Sequence, residues 1–249
     1  MLNLIRARLH QKQRTILYPE GPPPSLPERF RGLPVFGSGP CEDGCAKCAE
    51  ACPTGAVALE PALAIDLGRC LFCGECAAAC PNGKISYGSD YRLATRQRSD
   101  LVVDEQESIR LAAALDDKVR RLFGRSLKLR VVSAGGCNGC ESDVNVLQTI
   151  VWDIGRFGIQ IVASPRHADG LIVTGPVSEN MRVALRKTYD AGAPPKIVIA
   201  VGACAISGGP FVDHPEIHNG AEAVVPVDLY VPGCPPTAEA LLYGILQLQ

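Results

Sequence analysis

The run CLFCGECAAACP places Cys70, Cys73, Cys76 and Cys80 in the spacing C-x2-C-x2-C-x3-C-P. Three thiolates on one tight loop can meet three corners of an iron-sulfur cubane. The fourth, carried away on a following helix and stopped by proline, is placed to ligate a neighbouring cluster. Zinc is the alternative, but a structural zinc site takes four ligands in two pairs, which three close cysteines and a fourth before proline fit badly. The segment CEDGCAKCAEACP is a second copy: Cys45, Cys48, Cys52, Pro53 and Gly55 recur 28 residues later as Cys73, Cys76, Cys80, Pro81 and Gly83. It departs at one point, because Cys41 to Cys45 is C-x3-C. One extra residue can bulge out of the loop at Gly44, so Cys41 is expected to stay a ligand; without it the cluster would be a three-iron species or would recruit another group. By the crossed rule, Cys41, Cys45, Cys48 and Cys80 are expected to hold one 4Fe-4S cluster, and Cys70, Cys73, Cys76 and Cys52 a second.

Four cysteines remain. GGCNGCES carries Cys137 and Cys140, VGACAISGG carries Cys204, and VPGCPPT carries Cys234. Two thiolates two residues apart leave a four-ligand site half made, and Cys204 and Cys234 are the only candidates to complete it. Taken singly, either would read as core packing. Yet Cys137, Cys204 and Cys234 each follow a Val/Ile-rich run, and the strand ends of a doubly wound sheet share one edge. The four are therefore expected to converge from three Gly/Pro-rich loops on a third 4Fe-4S cluster. The flanking glycines, Gly202 and Gly233 among them, would let backbone approach an inorganic core and donate N–H bonds to its sulfides.

The elements that must position these groups follow from pattern. Each half of the repeat reads as a cluster loop, a small-residue helix, a Pro-Gly turn and a brief strand. From residue 127 onward, LKLRVVS, IQIVAS, DGLIVTG, KIVIAVG and VVPVDLYVPG read as buried parallel strands, with DVNVLQTIVWDIGRF and SENMRVALRKTYDAG as helices over them. The fold class is α/β: a two-cluster α+β region followed by an open, flavodoxin-like parallel sheet. Between them, Asp104 and Glu107 form a capping-box pattern, and Leu111, Leu115, Val119 and Leu122 an apolar stripe, so a connecting helix is expected. Residues 1–31 read as a short amphipathic helix, with Leu2, Ile5 and Leu9 on one face, and then a proline-rich extended strap. That helix is either a frayed terminus or an anchor at a membrane or partner surface. The boundaries so read are 1–31, 32–90, 91–126 and 127–249.

A net charge of −1 and 47% hydrophobic residues describe a globular chain without the basic excess that nucleic-acid binding needs. Residues 1–31 nevertheless carry six Lys/Arg against Glu20 and Glu28, while residues 41–83 carry six acids against Lys47 and Arg69, so two surfaces of different sign are expected. No signal-peptide pattern or membrane-spanning run is present, so a cytoplasmic, non-spanning chain is expected, in which twelve cysteines would point to metal rather than disulfides. No dinucleotide fingerprint or Walker loop is present. Glu141 could serve a proton path or simply sit at a helix start; Arg166 and His167 could tune a cluster or cap the sheet; Pro215 spoils a helical His214/His218 metal pair.

Residues 41–88 resemble the two-cluster ferredoxins, and ILYPEGPPPSLPERFRG is similar to the segment before the clusters in the eight-iron subunit of respiratory complex I and its hydrogenase relatives. GGCNGCE, SPRHADGLIVTG, GACAISGG and VDLYVPGCPPTAEALLYG resemble the small-subunit family shared by NiFe hydrogenases and the complex I subunit that holds the terminal cluster. The C-x2-C of Cys137 and Cys140 is the hydrogenase form, similar to formate hydrogenlyase and the membrane-bound group 4 enzymes; complex I has adjacent cysteines there. The two parts are commonly separate chains, whereas here they are fused. The resemblance implies a non-catalytic electron-transfer subunit of an oxidoreductase, with three 4Fe-4S clusters and the Cys137/Cys140/Cys204/Cys234 cluster nearest the active site. Its implied partners are a NiFe hydrogenase-type large subunit, membrane-arm subunits, and an electron donor such as ferredoxin or a formate or carbon monoxide dehydrogenase module. Its implied location is peripheral, on the cytoplasmic face of a prokaryotic inner membrane. The same residues also suit a nickel-free relative that reduces a quinone or another acceptor, or a stand-alone ferredoxin-like carrier or redox sensor.

Overall fold

A computed structural model describes residues 2–12, 14–23, 25–42, 44–105 and 126–248. In the C-terminal half, the Val/Ile-rich runs become β6 (Leu127–Ser133), β7 (Ile159–Ile161), β8 (Gly170–Thr174), β9 (Ile197–Val201) and β10 (Leu229–Val231). They form one sheet in the order β10-β9-β8-β6-β7 with every pair parallel. Counted from β6 this is 2-1-3-4-5, the flavodoxin-like order. β8 and β9 are buried at every position, as strands covered on both faces must be. Ile197, Ile199 and Val201 of β9 face a core shared with α4 (Gly139–Val146) and α7 (Ala238–Leu246). Val198 and Ala200 face the other layer, where α5 (Glu179–Ala191) inserts Leu185.

The helix expected over residues 143–157 is shorter and starts earlier. α4 ends at Val146, and a separate 3-10 turn covers Ile154–Phe157. Thr149, Ile150 and Val151 are β-branched and poor helix continuers. The Thr149 hydroxyl instead donates to the Val146 carbonyl at 2.7 Å, closing the helix end.

The 28-residue repeat is reproduced in three dimensions. α2 (Lys47–Glu50) and β2 (Val57–Ala58) recur as α3 (Glu75–Ala79) and β4 (Ile85–Tyr87). β4 pairs antiparallel with β1 (Pro34–Phe36), and β2 joins β3 (Ala64–Asp66) and β5 (Val102–Asp104) in a three-stranded sheet. β5 lies in the stretch read from sequence as a connector. Only three residues long, it gives no periodic signal of its own. Of the expected connecting helix, Asp104 ends β5 and the rest lies outside the described residues.

The two halves are tied together along residues 91–105. Thr95 and Tyr230 exchange backbone hydrogen bonds at 3.0 and 2.8 Å on the free edge of β10. Arg98 grips Asp66 with two bonds of 2.8 and 2.6 Å. The Ser207 hydroxyl donates to the Gly68 carbonyl at 2.9 Å. Beneath this seam Ile65, Leu67, Leu101 and Ile206 are buried in one core with the sheet residues Val173 and Val198.

The strap crosses the C-terminal half. Arg156 donates to the carbonyls of Ile16 and Tyr18, Ile16 N–H donates to Val151 O at 2.9 Å, and Tyr18 meets Tyr91 edge-on at 6.1 Å. Ahead of it α1 (Leu2–Gln11) buries no residue, and Leu2, Ile5 and Leu9 are all exposed.

Candidate iron-sulfur site

Covalent spacing fixes where each cysteine sits on its loop; the fold decides which loops meet. Cys41, Cys45, Cys48 and Cys80 line one cleft with Leu63 and Ile85. The extra residue of the C-x3-C segment is absorbed in a turn, where Cys45 N–H bonds Glu42 O at 3.1 Å and Gly44 takes a left-handed φ of +71°. Cys70 and Cys76 lie within electrostatic range of each other and of Cys52, and Cys73 is beside Cys76. Cys80 thus lies with the first copy's cysteines and Cys52 with the second's.

The third group forms at the C-terminal edge of the parallel sheet. Cys140 is close to Cys204, Cys234 and Cys137, and Cys204 to Cys234 and Cys137. Two of these are not on loops as the sequence suggested. Cys140 lies in the first turn of α4, and Cys204 in α6 (Gly202–Ser207), which starts directly from β9. Approach is close enough that a Cβ at position 202 would stand 2.5 Å from Cys140 Sγ, at a φ of +87°. Cys234 also senses Cys73, so the second and third groups are neighbours.

Electrostatics show what these groups lack. Burial, reinforced by neighbouring cysteines, pushes Cys140 up to about 12 and Cys204 up to about 11. Burial likewise pushes Cys70 up to about 11, against a bond from Phe72 N–H. Cys80 moves the other way: burial opposes it, but N–H groups of Lys84, Asn82, Ile85 and Gly83 draw it down. Thiols raised in this way, Cys70, Cys140 and Cys204 among them, need a compensating positive charge to become thiolates, which a bound iron core would supply. Among the described residues, no three His, Cys, Asp or Glu side chains close on a single metal ion. The donor set is all sulfur, in fours, and does not close on one ion, and it fits a 4Fe-4S core better than zinc.

Both repeats give their last cysteine the same support: Ala56 N–H to Cys52 Sγ and Lys84 N–H to Cys80 Sγ, each 3.2 Å. The Tyr87 hydroxyl, which the sequence did not single out, lies 3.3 Å from Cys76 Sγ and 3.8 Å from Cys70 Sγ. The repeat marks it only as a polar residue standing where the first half has Leu59; its contact with Cys76 needs the fold. Glu141 accepts from the buried Thr174 hydroxyl at 2.7 Å beside the third group. Arg166 and His167 precede β8 and so lie at the edge opposite Cys137, Cys204 and Cys234, out of place for tuning a cluster. His218 bonds Glu179 at 2.5 Å, while His214 accepts from Glu216 N–H, so the two rings serve separate partners.

Comparison with known proteins agrees with both halves. The pattern describing a 4Fe-4S dicluster domain matches residues 40–84, and that of the NADH ubiquinone oxidoreductase 20 kDa subunit matches residues 137–248. The chain is 42% identical over 126 residues to a probable membrane-bound hydrogenase subunit (mbhJ) of Pyrococcus furiosus, covering 51% of this chain and 75% of that one. It is 45% identical over 141 residues to a NADH-quinone oxidoreductase subunit of Phocaeicola vulgatus, covering 56% and 69%. With formate hydrogenlyase subunit 7 of Escherichia coli it shares 43% identity over 132 residues, covering 53% of this chain and 52% of that one. Fold, cysteine placement and these likenesses lead to one assignment: the chain belongs to the family of the NADH ubiquinone oxidoreductase 20 kDa subunit, with a 4Fe-4S dicluster domain in the same polypeptide.

Proposed function

We propose that this chain is the electron-transfer subunit of a membrane-associated NiFe hydrogenase-type complex, with all twelve cysteines as ligands of three 4Fe-4S clusters. The observation that carries the reading is the meeting of Cys137, Cys140, Cys204 and Cys234 at one sheet edge, next to Cys73 of the dicluster half. Bound clusters supply one-electron redox chemistry. The chain's own part is to hold the three sulfur sets in a fixed sequence, which the shared core and the Asp66–Arg98 and Ser207–Gly68 contacts do. The exposure of Cys137 and Cys234 supports a large subunit covering the third set. The exposed apolar and basic α1 supports peripheral attachment at a membrane arm, and no described helix is long and apolar enough to cross a membrane. The division into residues 1–31, 32–90, 91–126 and 127–249 belongs to the same reading, with the third segment acting as the seam.

Likeness to a NADH-quinone oxidoreductase subunit favours a second reading, in which the large subunit holds no nickel and the acceptor is a quinone. Purifying the whole complex through a tag on this chain decides between them. The first reading expects nickel in the complex and hydrogen evolution from a reduced donor, falling at least about tenfold in Cys234→Ser. An assembled complex without nickel would overturn it in favour of the second, and an unchanged rate in Cys234→Ser would remove this chain from the electron path.

A further inference from the structure

The two dicluster sets have the same backbone support but different side-chain surroundings. The 28-residue repeat pairs Lys84 with Ala56 and Tyr87 with Leu59. Ala56 and Leu59, flanking β2, carry no polar side-chain atom. Lys84 and Tyr87, flanking and ending β4, both do, and three positions apart on an extended backbone they point to opposite faces.

Their targets differ accordingly. Lys84 is buried, with its side chain 8% exposed, and its Nζ donates to Gly39 O at 2.7 Å and pairs with Glu105 at 2.6 Å. That ammonium lies within electrostatic range of Cys41 and Cys80, in the first set. The Tyr87 ring packs against Phe72 at 6.4 Å, which aims its hydroxyl at Cys76 and Cys70 of the second set. A thiolate has no proton to give, so with cluster ligands at those positions the phenol must be the donor. Hydrogen bonds to ligand sulfur and nearby positive charge both stabilise the reduced, more negative state.

We propose that β4 sets the reduction potentials of the two dicluster sites separately, Tyr87 raising the Cys52/Cys70/Cys73/Cys76 site by hydrogen bonding and Lys84 raising the Cys41/Cys45/Cys48/Cys80 site by charge. This inference rests on the ligand sets proposed above. Neither residue touches the reacting partner; both are positioning residues acting through the ligands. The asymmetry gives each site its own lever, although duplication made the backbones alike.

Anaerobic redox titration of the full chain, followed by EPR, tests it. Tyr87→Phe removes one oxygen and leaves the ring on Phe72. It is expected to make reduction of one dicluster site about tenfold less favourable, ~59 mV for a one-electron couple, and to leave the other unmoved. Lys84→Met keeps the N–H bond to Cys80 and is expected to lower the other site instead. Tyr87→Leu, the residue that the repeat itself uses at the equivalent position, serves where the Phe variant loads poorly. Midpoints unmoved in the Tyr87 variants, or both moved together, overturn the inference while leaving the ligand sets standing. Failure to find two reducible dicluster signals in the unmodified chain overturns the ligand sets and the inference with them.

Discussion

At the scale of the residue, the tightest constraint in the candidate site is at position 202. Its φ of +87° is left-handed, and the space where a Cβ would stand is taken by Cys140 Sγ at 2.5 Å and approached by Gly233 O at 3.4 Å. Left-handed backbone costs a non-glycine residue roughly 1–2 kcal/mol, and the sulfur cannot retreat without leaving its set. Gly202→Ala is therefore expected to lose about four iron per chain while the dicluster signals persist; iron analysis with EPR checks it, and an unchanged iron content would show that Cys140 Sγ is not held there for a cluster. The repeated cysteines were legible in the sequence because their geometry is written in covalent spacing. Tyr87 and Thr174 were not, because only folding brings the end of β4 to the Cys70–Cys76 loop and β8 to the start of α4.

At the scale of the element, legibility followed burial. β6 fills the whole of LKLRVVS, and α5 lies within SENMRVALRKTYDAG, because long segments with one covered face or two leave a clear apolar period. α6 and β5 left none. α6 spans six residues, five of them buried, and is set by the turn at Gly202 rather than by a periodic face. β5 spans three and is set by partners on β3. Yet the residues around β5 carry much of the connection between halves: Leu101 is fully buried, and its carbonyl accepts from Leu67 N–H at 2.8 Å. Leu101→Ala is expected to cost about 3 kcal/mol, in the usual range for deleting a fully buried leucine side chain. Because the core is shared, denaturation probes placed in the two halves are expected to shift together; a shift confined to the dicluster half would show that the halves unfold independently.

At the scale of the whole molecule, an open parallel sheet offers one edge where chain loops converge, and this chain fills that edge with cysteines after β6, β9 and β10. The dicluster half is docked so that Cys73 lies within electrostatic range of Cys234, which sets the second and third sulfur groups side by side. Chain topology, rather than any local motif, makes Cys204 and Cys234 partners of a C-x2-C pair more than sixty residues upstream of the first of them. The proposed electron path requires these four thiols to share one inorganic core. Iron and acid-labile sulfide counted on the anaerobically purified chain, with EPR after reduction, test it most directly. About twelve iron per chain are predicted, falling to about eight in the Cys204→Ser/Cys234→Ser double variant. About eight in the unmodified chain, or no loss in the double variant, would contradict it.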